Sequence, residues 1–230
     1  MSALFIYDAL YQQYGAQHWW PADTAFEVMA GAILTQNTAW TNVEQALGQI
    51  NKHHALDPHI LLSTADHVLA EWLRPSGYFN IKCRRLKNYC DWYVSNGGYE
   101  ALDTLNTQYL RQSLLQVNGV GHETADDILL YAFGRAVFVI DTYTRRIFSR
   151  LGLIDSSNNY ETLRAWFEGD LEKDLCRRRN TKTVSNKIRA SLYNEYHALI
   201  VVHAKDICKS KPLCPQCCLV NQCTYYKQIN

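Results

Sequence analysis

Apolar side chains in this 230-residue chain recur with the period of a helix and almost nowhere with that of a strand. Phe26, Met29, Ala30, Ile33 and Leu34 fall at i, i+3, i+4, i+7 and i+8, the stripe that a helix turns toward a core. Pro21 and Asp23 stand before that stripe as start signals. Trp40, Val43, Leu47 and Ile50 make a second stripe, with the Asp57-Pro58 turn signal beyond it. Weaker helical patterns cover 60–73, 82–94 and 107–115, with a loop at Pro75–Asn80, and the stretches 124–133, 142–151, 160–168 and 185–206 also suit helices. Only 11 Gly and 5 Pro punctuate the chain, and no Asn-Gly turn separates two alternating runs. The strand-like run Val137–Ile140 is too short and isolated to build a sheet, so the expected fold is all-α.

Composition narrows the class further. With 47% hydrophobic and 20% charged residues the chain is a globular one, which excludes intrinsic disorder and fibrous repeats. Its length suits one large domain or two small ones. No apolar run approaches the roughly 20 residues of a membrane helix, and the first residues lack the basic flank and cleavage site of a leader, so a cytoplasmic protein is expected. The formal charge of +1 hides an asymmetry: residues 1–134 hold 7 basic and 13 acidic side chains, and residues 135–230 hold 16 and 9. A basic half suits a polyanion, because sequence-independent DNA affinity comes from phosphate neutralisation. The run Arg177–Lys182 reads as a polar insertion, either a solvated loop or a phosphate contact.

Five of the eight cysteines crowd into the last 23 residues as Cys208-x5-Cys214-x2-Cys217-Cys218-x4-Cys223. In a reducing compartment such a cluster indicates metal rather than disulfides. Four thiolates can surround one centre, either a [4Fe–4S] cluster or a structural zinc, with Cys218 left over. His197 and His203 lack finger spacing and read as packed or hydrogen-bonding side chains. Cys83 and Cys90 read as core residues, and Cys176 stands alone. Lys209 and Lys211, inside the cysteine loop, are candidates for DNA backbone contact.

The run LLQVNGVGHETADDILL (114–130) predicts a helix, an Asn118-Gly119-Val120-Gly121 turn and a second helix. Two glycines allow backbone angles forbidden to other residues, and amides freed of side chains can hold a phosphate oxygen at a helix start. Asp141 ends the apolar stretch at another helix start, where it is either an N-cap or a reactive carboxylate.

Hairpin, aspartate and cysteine cluster, in that order, resemble the endonuclease III branch of the helix-hairpin-helix DNA glycosylases. The landmarks are ILTQNTAW (33–40), SGYFNIKCRRL (76–86), VNGVGHETAD (117–126), VIDTYTRR (139–146), NEYHALIVVHAK (194–205) and the cysteine tail. The resemblance implies a two-lobed α-helical protein, with 25–134 as a hairpin-bearing domain and 1–24 plus 135–230 as a second, ending in a [4Fe–4S] loop. It implies a monomer that acts on double-stranded DNA with damaged bases, in the cytoplasm at a bacterial nucleoid. Asn118, Gly119, Val120 and Gly121 would grip DNA, Gln36 would fill the gap left by a flipped nucleotide, and Asp141 would stabilise the cationic sugar of N-glycosidic cleavage or activate water. The cluster ligands would be Cys208, Cys214, Cys217 and Cys223.

Three departures matter. The family's bifunctional members carry a Schiff-base lysine two residues after the hairpin's second glycine, and here that residue is Glu123. No lysine lies between Lys87 and Lys173, so a monofunctional enzyme is expected. Glu123 is either a second catalytic carboxylate or a helix-start acid. The GVG-x-E-T-A form, with Trp20 and Trp40 as base-pocket aromatics and Trp19 beside them, looks like the 3-methyladenine glycosylases of this family, since π faces suit a cationic alkylpurine. The first cysteine gap is five residues where the family has six. The rival expectations are a glycosylase/lyase for oxidised pyrimidines and a non-catalytic DNA-binding iron–sulfur module.

Overall fold

The computed structural model describes residues 1–19, 22–54 and 56–229. Trp20, expected in the base pocket, lies outside the described residues. Among these there are thirteen α-helices and no strand: α1 (Ala3–Tyr14), α2 (Ala25–Leu34), α3 (Trp40–His53), α4 (Pro58–Ser63), α5 (Asp66–Leu73), α6 (Phe79–Ser95), α7 (Gly98–Asp103), α8 (Thr107–Leu115), α9 (His122–Asp127), α10 (Thr142–Arg150), α11 (Tyr160–Arg179), α12 (Asn186–Asp206) and α13 (Thr224–Ile229). A π-helical turn, Ile128–Ala132, continues α9. The chain divides into two compact units, Trp20–Phe133 and Met1–Trp19 with Gly134–Asn230.

In the unit Trp20–Phe133, α2 is buried at nearly every position, from Phe26 to Leu34, and packs against α6 and α9. A helix apolar all round belongs at the centre of a core. Thr24 caps it by accepting the Glu27 N–H. The spine α6 packs on α4 and α5, and its Cys83 and Cys90 are buried. The expected single helix over 60–73 is two helices, because Thr64 and Ala65 take extended backbone between α4 and α5.

In the other unit α1 packs on α11 and α12. Its start is fastened there: Tyr196 Oη donates to the Ala3 carbonyl at 2.6 Å, and the Ala3 N–H donates to Asp170 at 2.7 Å. Phe138 stacks on Phe167 with ring centroids 4.5 Å apart, and Phe148 meets Phe167 edge-on at the same separation. Such pairs contribute about 0.5–1.5 kcal/mol each beyond their burial. The VFVI run is buried but builds no ladder: the Phe138 N–H donates to Glu168 Oε1 and the Ile140 N–H to Tyr160 Oη. The basic run expected as an insertion is partly helix, since Arg177–Arg179 form the last turn of α11 and Asn180 ends it in the left-handed region.

Candidate nucleic-acid interface, catalytic carboxylate and metal centre

The hairpin joins α8 to α9 through a turn closed by the Val120 N–H donating to the Val117 carbonyl at 3.0 Å. Arg111 on α8 clamps the fully buried Asp126 on α9 with two hydrogen bonds, 2.6 and 3.0 Å. Asn88 of α6 donates to the Asn118 carbonyl at 3.1 Å. The two glycines differ. Gly119 has φ +102°, where side chains are strained, and an added Cβ would lie 2.3 Å from Arg85 Cγ. Gly121 has φ −95° and ψ −179°, extended backbone open to any residue, with nothing within 4 Å of its added Cβ. Of the two glycines expected to allow forbidden angles, only Gly119 uses them; Gly121 offers open space, not unusual torsions.

Gln36 lies against this turn. Its Nε2 donates to the Gly119 carbonyl and to Thr124 Oγ1, each at 2.9 Å, and its Oε1 accepts from Arg85. Gln36, Asn37, Arg85, Gly119, Val120, Gly121, Glu123 and Thr124 line one open concavity of about 440 Å3. Glu123 is exposed in the first turn of α9. Trp40 is half-buried at the start of α3, where its indole N–H donates to Glu44 at 2.7 Å. Arg85 and Thr124 escaped sequence reasoning, because nothing in periodicity distinguishes an arginine whose stem crosses a glycine from one in solvent.

Asp141 sits in the unit Met1–Trp19 with Gly134–Asn230, at the start of α10 and 7% exposed. The cap is observed, and the second carboxylate oxygen is left facing a histidine. Oδ1 accepts the Thr144 N–H at 2.6 Å as a helix cap, while Oδ2 lies 3.5 Å from Nε2 of the buried His197. Burial alone would raise the carboxyl's pKa, but the His197 hydrogen bond and charge and the Thr144 N–H outweigh it and hold it below the ordinary carboxylate value. The group is therefore an anion at neutral pH. Trp19 stacks on the His197 ring, with centroids 6.2 Å apart and planes 24° from parallel.

Cys208, Cys214, Cys217 and Cys223 line one small cavity together with Arg150, while Cys218 is exposed and not among its lining residues. Among the described residues no group of three or more His, Cys, Asp or Glu is arranged to hold a single ion; these thiols ring a space instead. The surroundings suit sulfur anions. The Leu219 N–H donates to Cys217 Sγ at 3.4 Å and Arg150 Nη1 to Cys208 Sγ at 3.3 Å. Burial pushes the Cys217 thiol up to about 12, which opposes the thiolate, while the Leu219 N–H favours it. Arg146 and Arg150 of α10 anchor the loop by donating to the carbonyls of Cys208 and Lys209 at 2.8 and 2.6 Å. Lys209 and Lys211 are exposed on it.

Residues 30–172 match the model of the HhH-GPD superfamily base excision DNA repair proteins. The chain belongs to that superfamily, and within it to the endonuclease III-like DNA glycosylases. It is 44% identical over 221 residues to a Methanocaldococcus jannaschii protein provisionally named a DNA repair glycosylase, covering 95% of this chain and 94% of the relative. Endonuclease III of Sulfolobus acidocaldarius is 29% identical, over 87% of this chain and 82% of its own. Among solved structures, the H. pylori 3-methyladenine DNA glycosylase bound to 1,N6-ethenoadenine superposes with a TM-score of 0.75 at 28% identity, over 89% of this chain and 98% of that one. A non-covalent endonuclease III–DNA complex matches in fold at TM-score 0.74 and 19% identity, over 98% and 95% of the two chains. No helix among the described residues is long and apolar enough to cross a membrane.

Proposed function

We propose that this chain is a monomeric, monofunctional DNA glycosylase that flips a damaged base from duplex DNA and hydrolyses its N-glycosidic bond, with alkylated purines such as 3-methyladenine as its substrates. The observation that carries the hydrolytic half is the buried carboxyl of Asp141, with Oδ1 capping α10 and Oδ2 3.5 Å from His197 Nε2. As the glycosidic bond breaks, positive charge grows on the deoxyribose, and a fixed anion lowers that barrier without reorganisation. The same carboxylate takes the proton of the attacking water as its oxygen bonds to the sugar carbon, while the bonding electrons depart with the base. An alkylated purine leaves readily because it is already cationic, so little acid help is needed.

Monofunctionality rests on the amines. Glu123 occupies the lysine position of the bifunctional enzymes. The two lysines of α6 that precede the hairpin are engaged: Lys82 is buried and donates to the Ser76 carbonyl at 2.6 Å, and Lys87 donates to Thr64 and Asp66. Glu123, exposed in the first turn of α9, offers a further carboxylate beside the hairpin. The alkylpurine assignment draws on Trp40 and Trp19 and on the likeness to the H. pylori 3-methyladenine enzyme.

DNA is held by the turn Asn118–Gly121, whose Gly119 and Gly121 N–H groups make no backbone hydrogen bond among the described residues, and by Lys209 and Lys211. Gln36 fills the gap of the flipped nucleotide. A [4Fe–4S] cluster held by Cys208, Cys214, Cys217 and Cys223 would pin the C-terminal loop without entering the reaction.

Borohydride treatment with an abasic duplex tests the proposal. The expected result is no covalent adduct, together with loss of base release and retained DNA binding in Asp141→Asn. A trapped adduct would overturn monofunctionality and favour the oxidised-pyrimidine lyase. Turnover by Asp141→Asn would remove the carboxylate's role.

A further inference from the structure

Gln36 makes three hydrogen bonds that together use both N–H donors of its amide and its carbonyl oxygen. A side chain so engaged cannot pair with an orphaned base until those bonds are exchanged. Two of its partners belong to the hairpin, at Gly119 and Thr124, and the third is the guanidinium of Arg85 on α6. The aliphatic stem of Arg85 lies over Gly119 so closely that a Cβ there would sit 2.3 to 2.9 Å from Cγ, Cβ and Cδ. The glycine, the arginine and the glutamine therefore interlock in a fixed order: the bare backbone of Gly119 admits the Arg85 stem, and the Arg85 head holds the Gln36 carbonyl.

We propose that Arg85 is a positioning residue that latches Gln36 against the hairpin in the free protein, so that Gln36 enters DNA only by giving up the Arg85 guanidinium. This rests on the reading of Gln36 as the gap-filling side chain. The latch keeps the amide from probing undamaged duplex, and its release is the step that commits the protein to a gap. Of the three bonds, the one from Arg85 carries a formal charge, the kind that is worth more than a neutral pair. Its loss is the perturbation that most speeds release.

The probe is a duplex with a tetrahydrofuran abasic analogue opposite 2-aminopurine, whose fluorescence follows entry of a side chain beside the orphaned base. Wild type, Arg85→Met, Gln36→Ala and the double variant are compared by stopped flow. Methionine keeps an aliphatic stem over Gly119 and removes the guanidinium; Arg85→Gln serves the same purpose should methionine disturb the fold. The expected result is a fluorescence change about tenfold faster in Arg85→Met, the scale of one charge-assisted hydrogen bond. In the Gln36→Ala background the same change at Arg85 has no further effect, because the two residues act as one unit. Unaltered kinetics in Arg85→Met, or an equal effect in both backgrounds, would overturn the latch and make Arg85 an independent DNA contact. If wild type shows no preference for the abasic duplex over an intact one, the gap-filling reading of Gln36 fails and the latch falls with it, an outcome distinct from failure of the latch alone.

Discussion

Alanine placed at each hairpin glycine separates backbone requirement from ligand space within one turn. At position 119 a side chain must adopt φ near the observed +102°, a strain of about 1–2 kcal/mol for an L-residue. Its Cβ would also fall 2.3 Å from Arg85 Cγ, so the arginine stem must be expelled, and overpacking of this kind costs about 1–3 kcal/mol. Gly119→Ala is therefore expected to lose about 2–5 kcal/mol, a fall in thermal midpoint of about 4–20 °C for a chain of this size. At position 121 the backbone is extended and the new Cβ meets nothing, so stability stays within about 0.5 kcal/mol. That same Cβ occupies the space where a phosphate would approach the amides, so DNA affinity falls. Urea denaturation and calorimetry give the stabilities, and fluorescence anisotropy with an abasic-analogue duplex gives the affinities. Equal destabilisation by both substitutions, or unchanged affinity in Gly121→Ala, would refute the reasoning.

Three other outcomes follow from the geometry. Arg111→Ala leaves the buried Asp126 without its bidentate partner and is expected to cost about 3–5 kcal/mol in urea denaturation; a loss under 1 kcal/mol would contradict a tightly held pair. Burial and the neighbouring Arg85 lower the Lys82 amine from 10.5 to about 8, so between these values the unfolded chain binds more protons than the folded one and stability rises with pH. Relative to Lys82→Met, wild type should gain roughly 3 kcal/mol from pH 8 to 10.5, and a flat difference would contradict the buried amine. Anaerobically purified Cys214→Ser should lose iron and the visible absorbance of a cluster, with a lowered thermal midpoint; stoichiometric zinc in wild type by metal analysis would replace the cluster with a zinc site.

Sequence pattern reached the elements whose apolar stripe is self-sufficient. The stripe from Phe26 to Leu34 lies within α2, and the expected 185–206 helix begins one residue later as α12. It failed where a helix owes its place to partners. The α1 segment was weighed only for the features of a leader, which it lacks, and no helix was expected there, although Leu4, Ile6 and Leu10 are buried; what holds its start is Tyr196 and Asp170, distant in sequence. The pattern also stopped too early on α11, where Leu163, Phe167, Leu171 and Leu175 continue the buried face beneath a charged surface. The three arginines there looked like a loop, yet cations suit the negative end of a helix. In the candidate site, motif order nominated Gln36, Asp141 and the cysteines. The pairing of Asp141 with His197, the hold of Arg150 on the cysteine loop and the difference between Gly119 and Gly121 were not legible, because each depends on contacts that spacing does not encode.

The most direct test of the account is mass spectrometry of the bases that purified protein releases from DNA treated separately with a methylating agent and an oxidant, with strand integrity followed in the same samples. Release of 3-methyladenine or another alkylpurine from uncut strands, abolished in Asp141→Asn, is the predicted result. Release of oxidised pyrimidines with strand cleavage, or of no base from either DNA, would contradict it.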